Sequence, residues 1–215
     1  GNLNLIEEAV RTERQAMQLA ADLGARDLSN IDMAASYAEA GAWLVSALAN
    51  LGRNDEARRA GQDAMAMADK VLARRPGYRI ALHAAQVIES DLVQVATNDL
   101  GPREALQAAQ RGVQISESLV ALDPDNLVSL NNLGVVQQSM GDALWSMGQL
   151  REAIPYYLKS LDSYGGATAG GAGFFLIHGY DVAQTAYHQA QAGDSKGAAA
   201  TIASGAQFLT ELRRI

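Results

Sequence analysis

The side chains that most often carry out chemistry are few in this sequence and are not spaced for it. No cysteine is present, which excludes thiolate metal ligands, disulfides and a cysteine nucleophile. The three histidines, His83, His178 and His188, form no His-Glu-x-x-His motif, so a zinc site lacks its parts. We therefore expect no enzymatic activity, no cofactor and no metal site.

The stretch from Gly165 to Gly173 is rich in glycine but does not have the features of a phosphate-binding loop. No lysine follows it and no strand pattern precedes it. Glycine at this density disfavours a helix and permits a mobile loop, so we interpret the stretch as a flexible linker. Whether the linker also serves as a hinge or a lid stays open.

Charge and hydropathy exclude two classes of partner. The 215 residues carry a formal net charge of −7, whereas binding to a phosphate backbone depends on clustered Lys and Arg, so we expect no nucleic acid partner. The apolar runs are only a few residues long, far short of the roughly 20 needed to cross a bilayer. With neither a membrane span nor a signal peptide in the sequence, we expect a cytoplasmic location.

A fixed period of 48 residues organises the chain. An alanine follows a glutamate at Ala9, Ala57, Ala105 and Ala153, which are 48 residues apart each time. A later unit continues at Ala198, which comes 45 residues after Ala153. Equal intervals of this kind are typical of a repeat architecture.

Within each unit the hydrophobic pattern is helical. In the third unit, apolar residues from Leu127 to Met147 recur at spacings of three and four, which predicts one face of a long helix. No segment alternates with period two for long enough to form a strand. We predict a single all-α domain of nine helices over residues 1–215, with an opening helix at 3–23 and antiparallel helix pairs at about 28–75, 76–123, 124–164 and 174–213.

The opening helix has the register of the second helix of a unit. Ala9 is in register with Ala57, yet no first helix precedes it in this sequence. We expect this chain to be a piece excised from a longer protein, and the alternative is that residues 3–23 form a solitary capping helix.

The run from Met140 to Tyr157 resembles the core of the tetratricopeptide repeat. Gly141, Gly148, Ala153 and Tyr157 fit the family pattern, in which small residues allow two helices to cross closely and an aromatic side chain fills the gap beside them. The resemblance implies a right-handed α-α superhelix, that is, a solenoid of antiparallel helix pairs. Units lengthened to 48 residues look like the arrays of bacterial signalling proteins, including kinases and transcription regulators.

The resemblance also implies which side chains line a concave groove. In the family, the stacked first helices of the units form this surface and bind partners there. Carrying the register over gives candidate partner-binding residues in all four units: Ser46, His83, Ser90, Gln94, Asn131, Gln138, Asp142, Trp145 and Tyr187.

The expected groove has no basic residue, and this restricts the partner. The family mode that clamps a C-terminal carboxylate needs Lys or Arg in the groove, so we exclude it. The acidic residues Glu39, Glu89, Asp91 and Asp142 favour a neutral or mildly basic partner. Trp145 is either a binding anchor or a residue packed between units. Trp43 and Tyr157 are expected to be packing residues.

These observations predict a protein-protein interaction scaffold that binds a peptide or partner protein in its groove. Association with a second copy is a further possibility, because the end of a repeat array leaves an apolar face to be covered. The alternative function is that of a ligand-sensing regulatory domain in a signalling enzyme or transcription regulator. An enclosed pocket lined by His83, Asn131 and Trp145 would favour that alternative.

Overall fold

The computed structural model describes the backbone of residues 2–26, 28–99, 101–168 and 172–212, and the side chains of most of them. Within these ranges the chain forms nine α-helices and no strand, as predicted. They are α1 (Asn2–Ala20), α2 (Ile31–Asn50), α3 (Asn54–Arg74), α4 (Arg79–Asp99), α5 (Pro102–Leu122), α6 (Leu127–Ser146), α7 (Leu150–Ala167), α8 (Ala172–Gln191) and α9 (Ser195–Leu212).

Glycines in left-handed conformation end three of the first helices. Gly52, Gly148 and Gly193 have φ of 69°, 77° and 87° and follow α2, α6 and α8. The amide of the residue after each glycine reaches back five residues, as where the Gln149 amide donates to the carbonyl of Leu144 at 3.0 Å. This bond satisfies a carbonyl that the helix end leaves open. The turns that follow α2, α6 and α8 therefore each depend on a glycine in the left-handed conformation.

We expect Gly148→Ala to lower the free energy of unfolding by about 1 kcal/mol, because a Cβ disfavours the left-handed conformation. A Cβ at this position would meet no other atom within 4 Å, so the cost comes from the backbone alone. Urea denaturation measures it. Gly77→Ala is the matched control, since Gly77 is equally open but does not have a positive φ. Equal effects of the two substitutions would contradict the explanation.

The chain divides into two compact units, Gly1–Asp123 and Pro124–Ile215, and each is described by itself. From here on, the first unit and the second unit are these two parts of the chain, and each 48-residue segment is called a repeat. In the first unit, α2 packs against α3 and α4, and α4 packs against α5. Its core consists largely of alanines, and Ala34, Ala38, Ala64 and Ala68 are fully buried. Gly41 lies against Ala64, so the backbones of α2 and α3 approach closely. Small side chains therefore set the spacing of these helices.

In the second unit, two tyrosines replace alanines as the filling between paired helices. The ring of Tyr157 on α7 lies against Gly141 on α6, where an added Cβ would be 2.6 Å from Tyr157 Cε1. About two turns away, Tyr164 lies against Gly134 in the same way, with a corresponding distance of 2.8 Å. Each large ring is accommodated because the opposing residue has no side chain.

The glycine-rich linker is shorter than predicted. Gly165 and Gly166 belong to α7, which ends at Ala167, and α8 begins at Ala172. An added Cβ at Gly165 would lie 3.5 Å from His178 on α8, and one at Gly166 would lie 3.4 Å from Leu130 on α6. These glycines continue the helix because they allow it to pack closely on its neighbours. Residues 169–171 of the predicted linker lie outside the described residues.

Candidate functional site

Two stripes of side chains meet on the first helices of the second unit. Gln138, Asp142 and Trp145 lie at positions i, i+4 and i+7 of α6, and Tyr180, Gln184 and Tyr187 lie at the same spacing on α8. Helical residues at these spacings share one face. The amide of Gln138 donates to the carbonyl oxygen of Gln184 at 3.5 Å, which joins the two stripes. We call these six residues the α6/α8 surface.

His188 lies beneath this surface and holds its aromatic side chains in place. Its imidazole stacks on the ring of Tyr157, with centroids 4.4 Å apart and an interplanar angle of 3°. The indole of Trp145 contacts the same imidazole in an edge arrangement at 4.3 Å, and Tyr187 does so at 5.5 Å. Trp145 is half-buried, so it both packs on α8 and presents part of its ring at the surface.

Hydrogen bonds from α7 support the α6 stripe. The Tyr157 hydroxyl donates to Asp142 Oδ1 at 2.9 Å, and the Tyr164 hydroxyl donates to Gln138 Oε1 at 3.2 Å. Because Tyr157 is fully buried and held by Gly141, its hydroxyl fixes the Asp142 carboxylate. The expectation that Tyr157 is a packing residue is confirmed, and its hydroxyl adds a polar role that spacing alone does not indicate.

Burial shifts the pKa of Asp142 and of two groups beneath the α6/α8 surface, His188 and Asp181. It raises the pKa of Asp142, against the opposing effects of the Tyr157 hydrogen bond and of His188. It lowers the pKa of His188, which favours a neutral imidazole, while Asp142 acts in the other direction. Burial also raises the pKa of Asp181 to about 6, although the Ser160 hydroxyl donates to this carboxylate at 2.7 Å. The negative charge of this region is therefore reduced near pH 6.

Most of the candidate residues of the first unit face neighbouring helices. The hydroxyl of Ser46 on α2 donates to Asp91 on α4, so this pair connects two first helices. Ser90 Oγ and, in the second unit, Asn131 Oδ1 are buried and have no hydrogen-bond partner among the described residues. Gln94 is exposed.

The acidic residues expected to line the groove are largely engaged inside the helix layers. Glu89 is buried and lies 3.0 Å from the Arg111 guanidinium on α5. Asp91 accepts the Ser46 hydroxyl and Asp142 accepts the Tyr157 hydroxyl. The partner of each acidic residue is a side chain of another helix. The spacing of residues along one helix does not reveal those partners.

Trp43 differs from its expected packing role. Its side chain is 46% exposed, and its ring centroid lies 6.2 Å from that of His83 on α4. With Leu5 and Glu13 of α1, Trp43 borders an open cleft of about 370 Å³ between α1 and α2. The buried residues of α2 are mostly alanines, and these pack in the core while the Trp43 indole stays at the surface.

A second cleft, of about 600 Å³, lies among α7, α8 and α9 and includes His178, Thr201 and Ser204. Neither cleft contains His83, Asn131 or Trp145, the residues named for a ligand-sensing pocket. Across the described side chains, no group of three or more His, Asp or Glu is placed to hold a metal ion. The described helices also include none that is both long and apolar enough to cross a membrane.

Sequence reasoning found four of the six residues of the α6/α8 surface and missed Tyr180 and Gln184. These two lie seven and three residues before Tyr187, so helical spacing could have identified them. It also missed the supporting role of His188, because its partners Tyr157 and Trp145 lie 31 and 43 residues away in the sequence.

The chain consists of antiparallel helix pairs that follow a 48-residue period and cross at small residues. It is therefore an all-α helical repeat protein. Two crystal structures of a Podosopora anserina putative kinesin light chain with nearly identical TPR-like repeats are similar to it, at TM-scores of 0.58 and 0.57 and 16% sequence identity. Each match covers 99% of this chain and 95% of that one. The predicted tetratricopeptide-like fold is confirmed.

A weaker match is MamA from Desulfovibrio magneticus RS-1, at a TM-score of 0.41 and 18% identity, covering 94% of this chain and 96% of that one. No protein-family model matches the sequence, and no curated protein matches it either.

Proposed function

We propose that this chain is a protein-interaction scaffold and that its α6/α8 surface binds a segment of a partner protein. The supporting observation is that the structure brings the two stripes together, with Tyr180 and Tyr187 well exposed and Trp145 held against His188. Aromatic side chains supply large contact areas and are enriched at binding hot spots. The amides of Gln138 and Gln184 offer donors and acceptors to a partner backbone.

The charge of these helices favours a neutral or mildly basic segment. Neither α6 nor α8 contains a Lys or Arg, and their acidic residues are Asp142 and Asp181. A basic side chain on the partner gains from this potential, whereas an acidic one is repelled. The bound segment is therefore expected to combine apolar side chains with a low positive charge.

Selection from a displayed library of random 12-residue peptides tests the proposal. We expect the selected peptides to be apolar and neutral to basic, and Tyr187→Ala and Tyr180→Ala each to weaken their binding about 10- to 30-fold. Both tyrosines are exposed, so the fold tolerates their loss. Ile202→Ala on α9, an equally exposed apolar residue, is the control and leaves binding unchanged.

Peptides that bind equally well to the tyrosine variants would contradict the proposal. A tightly bound small molecule found by native mass spectrometry, released by Trp145→Phe, would instead support the ligand-sensing alternative. The two outcomes are distinguishable because the first is read from peptide affinities and the second from the mass of the purified protein.

A further inference from the structure

Three charged side chains fill the groove between the second helices α3 and α5. The Arg111 guanidinium on α5 donates to both carboxylate oxygens of Asp69 on α3, at 2.8 Å each. It also lies 3.0 Å from the buried carboxylate of Glu89 on α4. One guanidinium therefore links all three helices of this groove.

The matching positions of α7, α8 and α9 have small or apolar residues instead. Two steps of 48 residues match Asp69 with Gly165 on α7. One step of 48 and one of 45 match the glutamate with Val182 on α8 and the arginine with Ser204 on α9. These three residues all line the cleft of about 600 Å³ among the helices, which we call the α7/α9 cleft. The cleft is therefore the space that the charged side chains fill between α3 and α5, and the helices that bound it all lie within the chain.

The α7/α9 cleft combines apolar surface with hydroxyl groups whose protons are already used. Leu158 and Leu161 of α7 supply apolar surface. The Thr201 hydroxyl donates to Gln189 Oε1 at 2.7 Å, and the Ser204 hydroxyl donates to the carbonyl of Thr201 at 2.7 Å. Both hydroxyl oxygens therefore offer only lone pairs to a ligand, and they suit a ligand that donates hydrogen bonds.

Asp162 gives the α7/α9 cleft a negative charge. It is exposed on α7, one turn before Gly165, and the residues that line the cleft include no Lys or Arg. The neighbouring Lys159 ammonium lies over the ring of Tyr156 instead, 5.6 Å from its centroid. His178 also lines the cleft, and burial lowers the pKa of its imidazole, which favours the neutral form. The charge of the cleft therefore favours a cation.

We propose that the α7/α9 cleft binds a small organic cation, an ammonium or guanidinium group on an apolar body. The cationic group would pair with the Asp162 carboxylate and donate to the oxygens of Thr201 and Ser204, while the hydrocarbon part would lie on the leucines of α7. Such a ligand supplies what Arg111 supplies between α3 and α5, a cation on an aliphatic stem. A volume of about 600 Å³ is within the range of small-molecule sites.

Three probes with the same alkyl chain test this site: hexylamine, hexanol and hexanoate. Heteronuclear NMR titrations of the full chain measure their affinities and identify the amides that shift. We expect hexylamine to bind about 10-fold more tightly than hexanol, hexanoate to bind most weakly, and the shifts to lie on α7, α8 and α9. Asp162→Asn is expected to weaken hexylamine binding about 10-fold and to leave hexanol binding unchanged.

A double variant, Gly165→Asp with Ser204→Arg, fills the cleft with the pair found between α3 and α5 and is expected to abolish hexylamine binding. A Cβ at Gly165 comes no closer than 3.5 Å to His178, and Ser204 is exposed, so circular dichroism is expected to match the parent. The control Ala203→Arg adds the same charge to α9 outside the cleft and is expected to change binding less than about 2-fold.

Four outcomes would overturn the proposal. They are absence of hexylamine binding, equal binding of hexylamine and hexanol, binding that the double variant retains, and shifts confined to the α6/α8 surface.

Discussion

Replacing Glu89 by Gln is expected to raise the free energy of unfolding by about 3 kcal/mol at pH 8 and to change it little at pH 4. Glu89 lies on α4 with a side chain that is only 7% exposed. Burial raises its pKa from 4.5 to about 7, with Arg111 opposing the change and Asp69 adding to it. The charged form of this carboxyl is therefore disfavoured in the folded chain.

The direction of the pH dependence follows from the raised pKa. The folded chain holds the Glu89 proton more tightly than the unfolded chain does, so the contribution to stability is present below about pH 4.5. It is lost as the pH rises through about 7, and above that pH the penalty is complete. Gln keeps the shape of the protonated acid and removes this loss.

Urea denaturation at several pH values measures the effect. The control is Glu117→Gln, which removes an exposed carboxylate from α5 and is expected to change stability by less than about 0.5 kcal/mol. If Glu89→Gln instead lowered stability at pH 8, attraction to Arg111 would exceed the cost of burial, and the ion pair at 3.0 Å would be a net stabilising contact.

Replacing Gly141 by Ala is expected to destabilise the second unit by about 1 to 3 kcal/mol. The new methyl group would lie 2.6 Å from the ring of Tyr157, which is fully buried and cannot move without shifting His188 and Asp142. Alanine is intrinsically the better helix former by about 1 kcal/mol, so a net loss would show that the overpacking dominates.

Tryptophan fluorescence reports this change in the second unit. In a Trp43→Phe background, Trp145 is the remaining tryptophan, and it contacts His188 beside the altered ring. Gly179→Ala on α8 is the control, because a Cβ there meets nothing within 4 Å and is expected to stabilise by up to about 1 kcal/mol. If the Gly141→Ala variant were as stable as the parent or more stable, the close contact between position 141 and the Tyr157 ring would be contradicted.

The chain itself offers a compensating pair for this position. At the same register in the preceding repeat, Val93 stands for Gly141 and Ala109 for Tyr157, and both are buried. The double substitution Gly141→Val with Tyr157→Ala is therefore expected to cost less than the sum of the two single changes. Such coupling is typical of residues in direct contact.

The sequence by itself determined the helices, their order and the ends of α2, α6 and α8. The 48-residue period, the spacing of apolar residues and the glycines at 52, 148 and 193 act through local backbone preferences, which do not need the rest of the chain. The close crossing at Gly141 could also be predicted, because a glycine and an aromatic residue 16 positions apart are characteristic of the resembled repeat.

Only the tertiary structure decided which candidate side chains reach the surface. Ser46, Glu89 and Asp91 lie at positions expected to face a groove, but their partners are on neighbouring helices. His188 joins Trp145 to Tyr157 across more than 30 residues of sequence, and Trp43 stays exposed because alanines fill the core beneath it. Side-chain placement depends on what the adjacent helix presents at the point of contact, and one helix's periodicity does not contain that information.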